Sequence, residues 1–170
     1  LFPDRYEAIL ALPGVGPYTA GAVASISFGQ PVPAVDGNVL RVISRLLEWD
    51  ADLSGTTEKK QVASLLADVY PQGRCGDFTQ ALMELGAVVC IPGACPKCAL
   101  CPLQHLCDAF SAGTQASFPV IPPKKPRKKE DKTVFLLRCG DRIALRRRNE
   151  NGLLGGLWEF PNAEGHLDSA

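Results

Sequence analysis

The chain has 170 residues, 46% of them hydrophobic, and its 18 basic and 18 acidic side chains cancel to a formal charge of zero. That length suits one ordinary domain, or one domain with part of another, and the apolar content is enough for a buried core. Net charge names no partner, so any nucleic-acid footprint must come from local charge clusters or backbone groups.

No run of about 18 apolar residues occurs, and the opening Leu1-Phe2-Pro3-Asp4-Arg5 lacks the charged and apolar regions of a signal peptide. A cytosolic setting, no membrane partner and a monomer are the expectations. The chain starts without Met and stops in Asp168-Ser169-Ala170 without closing a pattern, which reads as a fragment.

From Asp4 to about Ala109 the pattern is helical. Apolar residues recur three and four apart in Tyr18, Ala22, Val23, Ile26, then in Val39, Val42, Ile43, Leu46, then in Val62, Leu65, Leu66, Val69. Four or five short helices are predicted. Pro17 suits the first turn of one, Asp36 can cap the next, and Thr57 with Glu58 can open a third.

Leu12-Pro13-Gly14-Val15-Gly16 falls between the first two predicted helices. Its glycines let the backbone turn tightly and expose amide N–H groups at a helix start, a nest that suits phosphate. Glycines in such turns also serve sterics alone. Further on, Val35-Asp36-Gly37-Asn38 sets an acid at a helix start. A cap uses only one carboxylate oxygen, leaving the other to face a cationic centre.

Phe78–Val89 reads as a helix that delivers the chain to Cys90. Five of the seven cysteines crowd between Cys90 and Cys107, which argues against a disulfide framework. Cys90, Cys98, Cys101 and Cys107 are separated by seven, two and five residues in a loop rich in proline and glycine. Four thiolates can close around one centre: a [4Fe-4S] cluster suits one tight run with unequal flanks, whereas structural zinc more often shows two separated CxxC pairs. Zinc, or no metal at all, stays open. Cys95 could compete as a ligand, since Cys95-Pro96-Lys97-Cys98 is also a CxxC, while Cys75 and Cys139 read as small buried side chains.

Between Thr114 and Lys132, Pro119, Pro122, Pro123 and Pro126 alternate with Lys124, Lys125, Arg127, Lys128 and Lys129. The prolines keep such a linker extended, and the charge run reads as a solvated tether that could also touch phosphate. Thr133–Cys139 and Arg142–Arg148 then read as strands around a Gly140-Asp141 turn, with a possible third at Leu157–Phe160.

LPGVGPYTAGAV (12–23), PAVDGNVLRV (33–42) and ELGAVVC (84–90), leading into C-x2-C-x5-C, resemble in that order the helix-hairpin-helix DNA glycosylases with an iron-sulfur cluster. The likeness covers Leu1 to about Phe110, and GLLGGLWEFP (152–161) resembles the start of the Nudix-like domain at the end of MutY-type adenine glycosylases. The fold implied is mainly α, a helix-hairpin-helix glycosylase domain with an iron-sulfur loop over 1–110. A Pro/Lys-rich linker over 111–131 and the start of an α/β Nudix-like recognition domain over 132–170 follow.

The resemblance implies hydrolysis of the bond between adenine and deoxyribose in double-stranded DNA, with adenine opposite 8-oxoguanine or guanine. It casts Asp36 as the carboxylate that steadies the cationic sugar, with Tyr18 and Asn38 orienting it. Leu12, Gly14, Val15, Gly16 and Lys97 would touch DNA, and Cys90, Cys98, Cys101 and Cys107 would hold the cluster. Endonuclease III-type enzymes, which cleave the strand as well, carry a lysine where this chain has Tyr18, so a monofunctional enzyme is implied.

Two departures qualify the match. The first cysteine gap is seven residues where the commonest family pattern has six, and the family's catalytic glutamate belongs to a segment before the hairpin that this chain does not include. Glu7 and Glu48 lie outside that motif. An endonuclease III-type bifunctional glycosylase and lyase, a non-catalytic DNA-binding fragment and a Nudix-type hydrolase of oxidised nucleotides are the competing readings.

Overall fold

Pro17 opens a 12-residue helix as the sequence predicts, in a computed structural model that describes residues 1–53, 55–123, 126–127 and 129–167. Proline suits that position because its missing N–H would lack an intrahelical partner there in any case. Two compact units result, Leu1–Pro123 and Lys124–Ala170. No helix among the described residues is long and apolar enough to cross a membrane.

The first unit is helical. Helices α1 (Tyr6–Leu10) and α2 (Pro17–Phe28) pack as a hairpin around Ile9, Ala20 and Ala24. The buried side of α2 is Ala20, Gly21, Ala24 and Ser25, whereas Tyr18 and Ile26 are exposed. The stripe expected from Tyr18 to Ile26 is therefore corrected. Small residues rather than large ones face inward because the backbone approaches closely: a Cβ on Gly21 would lie 2.5 Å from the Pro33 carbonyl oxygen.

Helix α3 (Gly37–Leu46) is buried continuously from Val39 to Arg45 and forms the axis of the unit. Around it stand α4 (Thr56–Ala67), α5 (Cys75–Glu84) and the short α6 (Asp108–Ala112), with Leu40, Ile43, Val62, Leu66 and Leu82 in the shared core. In α4, Val62 and Leu66 are buried while Leu65, and Val69 just past the helix end, are exposed, so only half of the predicted stripe points inward. Helix α4 starts at Thr56 after Gly55, earlier than a Thr57 cap would set it.

The helix predicted over Phe78–Val89 starts three residues earlier, at Cys75, and changes winding before its end. Leu85–Val89 is a π-helical turn, closed by Cys90 N–H on the Leu85 carbonyl at 2.7 Å. Such wide turns shift the facing of whatever follows. Residues 111–118, read as the start of a linker, are anchored to the first unit: Thr114 Oγ1 donates to Glu48, and the Gln115 and Phe118 carbonyls accept from Arg45 Nε. Of the linker lysines, Lys124, Lys125 and Lys128 lie outside the described residues.

Among the described residues, the second unit contains six short strands in three antiparallel pairs. The Gly140-Asp141 turn joins β2 (Arg138–Cys139) to β3 (Arg142–Ile143), with Arg138 opposite Ile143. Each predicted long strand is divided because it changes partner part-way. The first half of the 133–139 run, β1 (Lys132–Val134), pairs with β6 (Asn162–Glu164) instead, and β4 (Arg146–Arg147) pairs with β5 (Trp158–Glu159). Cys139 is exposed, not buried, since β2 pairs with β3 and both residues of each are exposed. Glu159 accepts from Arg146 Nε at 2.9 Å and Arg148 Nη1 at 2.7 Å. Burial opposes its ionisation, but the Arg146 hydrogen bond and the two guanidinium charges outweigh it and hold the carboxyl below its usual range.

Candidate active site and cysteine loop

The hairpin turn between α1 and α2 leaves Gly14 and Gly16 exposed, Gly14 at φ 78°. That left-handed conformation is what glycine supplies at little cost. Val15 N–H closes the turn on the Leu12 carbonyl at 3.1 Å, so Val15 is not the free donor the sequence suggested. The exposed Gly14 and Gly16 amides stand at the start of α2, a 12-residue helix, whose first N–H groups have no intrahelical acceptors. Leu12 is half-buried beneath the turn.

Asp36 caps α3 as predicted. Its Oδ1 accepts from Val39 N–H at 2.8 Å, and the second oxygen, expected to be unengaged, accepts from Asn38 Nδ2 at 2.9 Å. Both bonds fix the plane of a half-buried carboxylate, and the remaining lone pairs stay open to an approaching group. Asn38 is itself held from the other side: Arg41 Nη2 donates to its Oδ1 at 2.8 Å.

Tyr18 reaches the same region from α2. It is 43% exposed, and its hydroxyl donates to Met83 Sδ at 3.7 Å. Asn38 packs on Gly86 so closely that a Cβ there would lie 2.6 Å from Asn38 Cβ. Met83 and Gly86 are three residues apart on one helical run, which makes them neighbours along its side. Tyr18 and the Asp36–Asn38 pair thus gather over the end of α5.

Two buried arginines on α3, unpredicted from the sequence, join that site to the cysteine loop. Arg41 Nε donates to the Cys90 carbonyl at 2.8 Å and Nη2 to the Gly86 carbonyl at 2.7 Å. Burial lowers the Arg41 pKa; Cys90 opposes the shift, Arg45 reinforces it and Asp36 opposes it. Arg45, one turn later, donates through Nη1 to Cys90 Sγ at 3.4 Å and to the Ile91 carbonyl at 2.8 Å, and through Nη2 to the Gly93 carbonyl at 2.8 Å. The available signal was two cations four residues apart inside an apolar run, an arrangement a surface helix face would not show.

Cys90, Cys98, Cys101 and Cys107 all line one cavity of about 30 Å³, together with Arg45, Val42, Leu85 and Leu103. Cys95 is exposed and takes no part in its lining, and Lys97 is exposed on the loop. Burial pushes the Cys98 thiol up, and the neighbouring Cys107, Cys90 and Cys101 add to the shift. Cys107 is pushed up by burial as well. Among the described residues no three His, Cys, Asp or Glu side chains are close enough to hold a single metal ion. Four soft donors around an apolar cavity, with a cation at its wall, suit a polynuclear iron-sulfur group.

Residues 1–26 match the helix-hairpin-helix motif. The chain is 38% identical over 175 residues to an adenine DNA glycosylase of Arabidopsis thaliana, covering 95% of this chain and 28% of the relative. It is 37% identical over 196 residues to the adenine DNA glycosylase of Homo sapiens, covering 89% of this chain and 36% of that one. Against the Mycobacterium tuberculosis adenine DNA glycosylase it is 45% identical over 102 residues, 60% of this chain and 33% of the relative. It therefore spans well under half the length of these relatives.

Among solved structures, a thermostable thymine-DNA glycosylase superposes with a TM-score of 0.53 at 36% identity, over 65% of this chain and 50% of that one. A trapped endonuclease III–DNA covalent intermediate superposes with a TM-score of 0.53 at 28% identity, over 66% of this chain and 51% of that one. The first unit has the helix-hairpin-helix glycosylase fold, and the chain is similar over most of its length to adenine DNA glycosylases.

Proposed function

We propose that this chain carries the excision centre of a monofunctional adenine DNA glycosylase acting on adenine opposite 8-oxoguanine or guanine. The observation that carries the reading is Asp36, a half-buried carboxylate oriented by Val39 N–H and by Asn38, which packs on Gly86 while Tyr18 bonds to Met83 on the same helical run. The names of its relatives, adenine DNA glycosylases, supply the substrate class.

Double-stranded DNA would rest its backbone on the exposed Gly14 and Gly16 amides at the α2 N-terminus, where unpaired donors and the helix dipole favour an anion without needing a basic side chain. Lys97 on the cysteine loop would add a second phosphate contact. Structural neighbours solved with DNA support this footing. The adenine leaves the stack at a cost of a few kcal/mol before its sugar can meet Asp36.

As the glycosidic bond lengthens, its electron pair goes with the base and C1′ becomes cationic. Asp36 stabilises that charge at close range, Asn38 keeps the carboxylate from rotating away, and Tyr18 borders the sugar. Water then adds to C1′ and gives up a proton. No residue of this chain is assigned the protonation of the adenine.

Without an amine at position 18, no Schiff base forms there and the strand stays intact. The endonuclease III neighbour, trapped as a covalent DNA intermediate, makes strand cleavage the second reading. The cysteine-lined cavity would hold a [4Fe-4S] cluster through Cys90, Cys98, Cys101 and Cys107. Such a cluster supplies a rigid support for the loop that displays Lys97; hydrolysis transfers no electrons. The second unit is read as a Nudix-like recognition module for the base opposite adenine. Adenine release from a duplex pairing adenine with 8-oxoguanine, compared between the parent protein and Asp36→Asn, tests the proposal.

A further inference from the structure

Among the described residues, the arginine at the wall of the cysteine cavity hydrogen-bonds to carbonyls and a sulfur and to no carboxylate. Arg45 is 2% exposed, and its side chain is bonded to the carbonyls of Ile91, Gly93, Gln115 and Phe118 and to Cys90 Sγ. Carbonyls satisfy its N–H groups but do not neutralise it, and an uncompensated buried cation is strongly disfavoured. The contrast with Arg41 is direct, since that guanidinium is linked through Asn38 to Asp36.

We infer that Arg45 is a positioning residue for the cysteine-held iron-sulfur group: it fixes Cys90 Sγ by an N–H···S hydrogen bond, takes its counter-charge from the thiolate-bound group, and raises that group's reduction potential. This rests on the cluster reading above.

Three features support it. Arg45 grips Ile91 and Gly93, the residues just after Cys90, so the same guanidinium sets both the sulfur and the path of the longer first gap. The Arg45 carbonyl oxygen also lies 3.4 Å from Cys107 Sγ, so the residue borders the first and the last of the four cysteines, and the Arg45 N–H to Cys90 Sγ is the contact that persists when both are thiolates. Hydrogen bonds to cluster sulfurs and nearby positive charge both favour the reduced, more negative state, and burial keeps water from screening them.

The test uses the full chain purified with its cluster. Iron and sulfide analysis of the parent comes first; if neither is bound, the cluster reading fails and this inference with it. Given a cluster, voltammetry is run on the parent, Arg45→Lys, Arg45→Gln and Arg41→Lys. A more negative midpoint is expected in Arg45→Lys, a larger shift in Arg45→Gln, and a smaller shift than either in Arg41→Lys, whose contact is to the Cys90 carbonyl and not to its sulfur. Equal potentials in the parent and both Arg45 variants would overturn it.

If the Arg45 variants do not fold around a cluster, the parent labelled with 15N-guanidinium arginine decides by pulsed EPR of the reduced state. A 15N coupling that persists in Arg41→Lys supports the hydrogen bond to sulfur. Its absence in the parent refutes it.

Discussion

Asn38 Nδ2 donates to Asp36 Oδ2 at 2.9 Å while its own Oδ1 accepts from Arg41 at 2.8 Å, so one amide orients the carboxylate and is oriented in turn by a cation tied to Cys90. Geometry at the helix start and geometry at the cysteine loop are therefore parts of one hydrogen-bonded chain. Disturbing one link transmits to the others, since buried polar networks tolerate partial satisfaction poorly.

Replacing Asp36 by Asn separates its two duties. Asparagine caps a helix about as well as aspartate, so the thermal midpoint should stay within a few degrees. The lost negative charge should slow adenine release on the order of 100-fold or more, about 2.7 kcal/mol of transition-state stabilisation. Single-turnover rates with a circular-dichroism melt check both; a large fall in stability with little rate loss would make Asp36 a cap alone.

Gly86→Ala probes the contact between α3 and the π-helical turn. The new Cβ would lie 2.6 Å from Asn38 Cβ and 3.0 Å from its carbonyl oxygen, so Asn38 or the turn must move. Overpacking of this kind costs about 1–3 kcal/mol. Because the displaced residue orients Asp36, excision should slow even at temperatures where the variant is fully folded, which a melt paired with rates at low temperature resolves.

Thiol labelling separates the seven cysteines. With the cluster bound, the exposed Cys95 and Cys139 should alkylate quickly while Cys90, Cys98, Cys101 and Cys107 stay protected; Cys75, 1% exposed, should resist throughout. Cys95→Ser should keep the iron content of the parent and Cys98→Ser should lose it. Mass spectrometry with iron analysis reads both, and retention by Cys98→Ser alone would assign the ligand to Cys95.

Much of the first unit was legible in the residues themselves. Pro17 and Asp36 mark helix starts by simple backbone chemistry, and cysteine spacing picked out the four side chains that line one cavity. The faces of α2 and α4 were misread because periodicity records where large apolar residues lie, whereas α2 turns its small residues inward to let Gly21 meet the Pro33 carbonyl. Arg41 and Arg45 were missed for a related reason. Their long-range partners are backbone carbonyls and a sulfur 45 to 73 residues away in sequence, contacts to which no local pattern points. In the second unit, strand propensity located the segments but not the change of partner within each.

Glu159 makes a pH-dependent prediction. Its pKa is lowered in the folded chain, so its pairing with Arg146 and Arg148 stabilises the second unit above the unfolded value of about 4.3 and is lost as pH falls through the lower folded value. Carboxyl-carbon NMR of Glu159 should give a midpoint below about 4.3; a midpoint above it would contradict the pairing.

The most direct measurement is adenine release under single turnover from a duplex with adenine opposite 8-oxoguanine, using the natural protein that carries this sequence, with strand integrity scored before and after alkali. Release that depends on Asp36, with the strand intact until alkali and no adduct trapped by borohydride, is the expected result. No release would reduce the chain to a DNA-binding module, and cleavage without alkali together with a trapped adduct would assign it the endonuclease III chemistry instead.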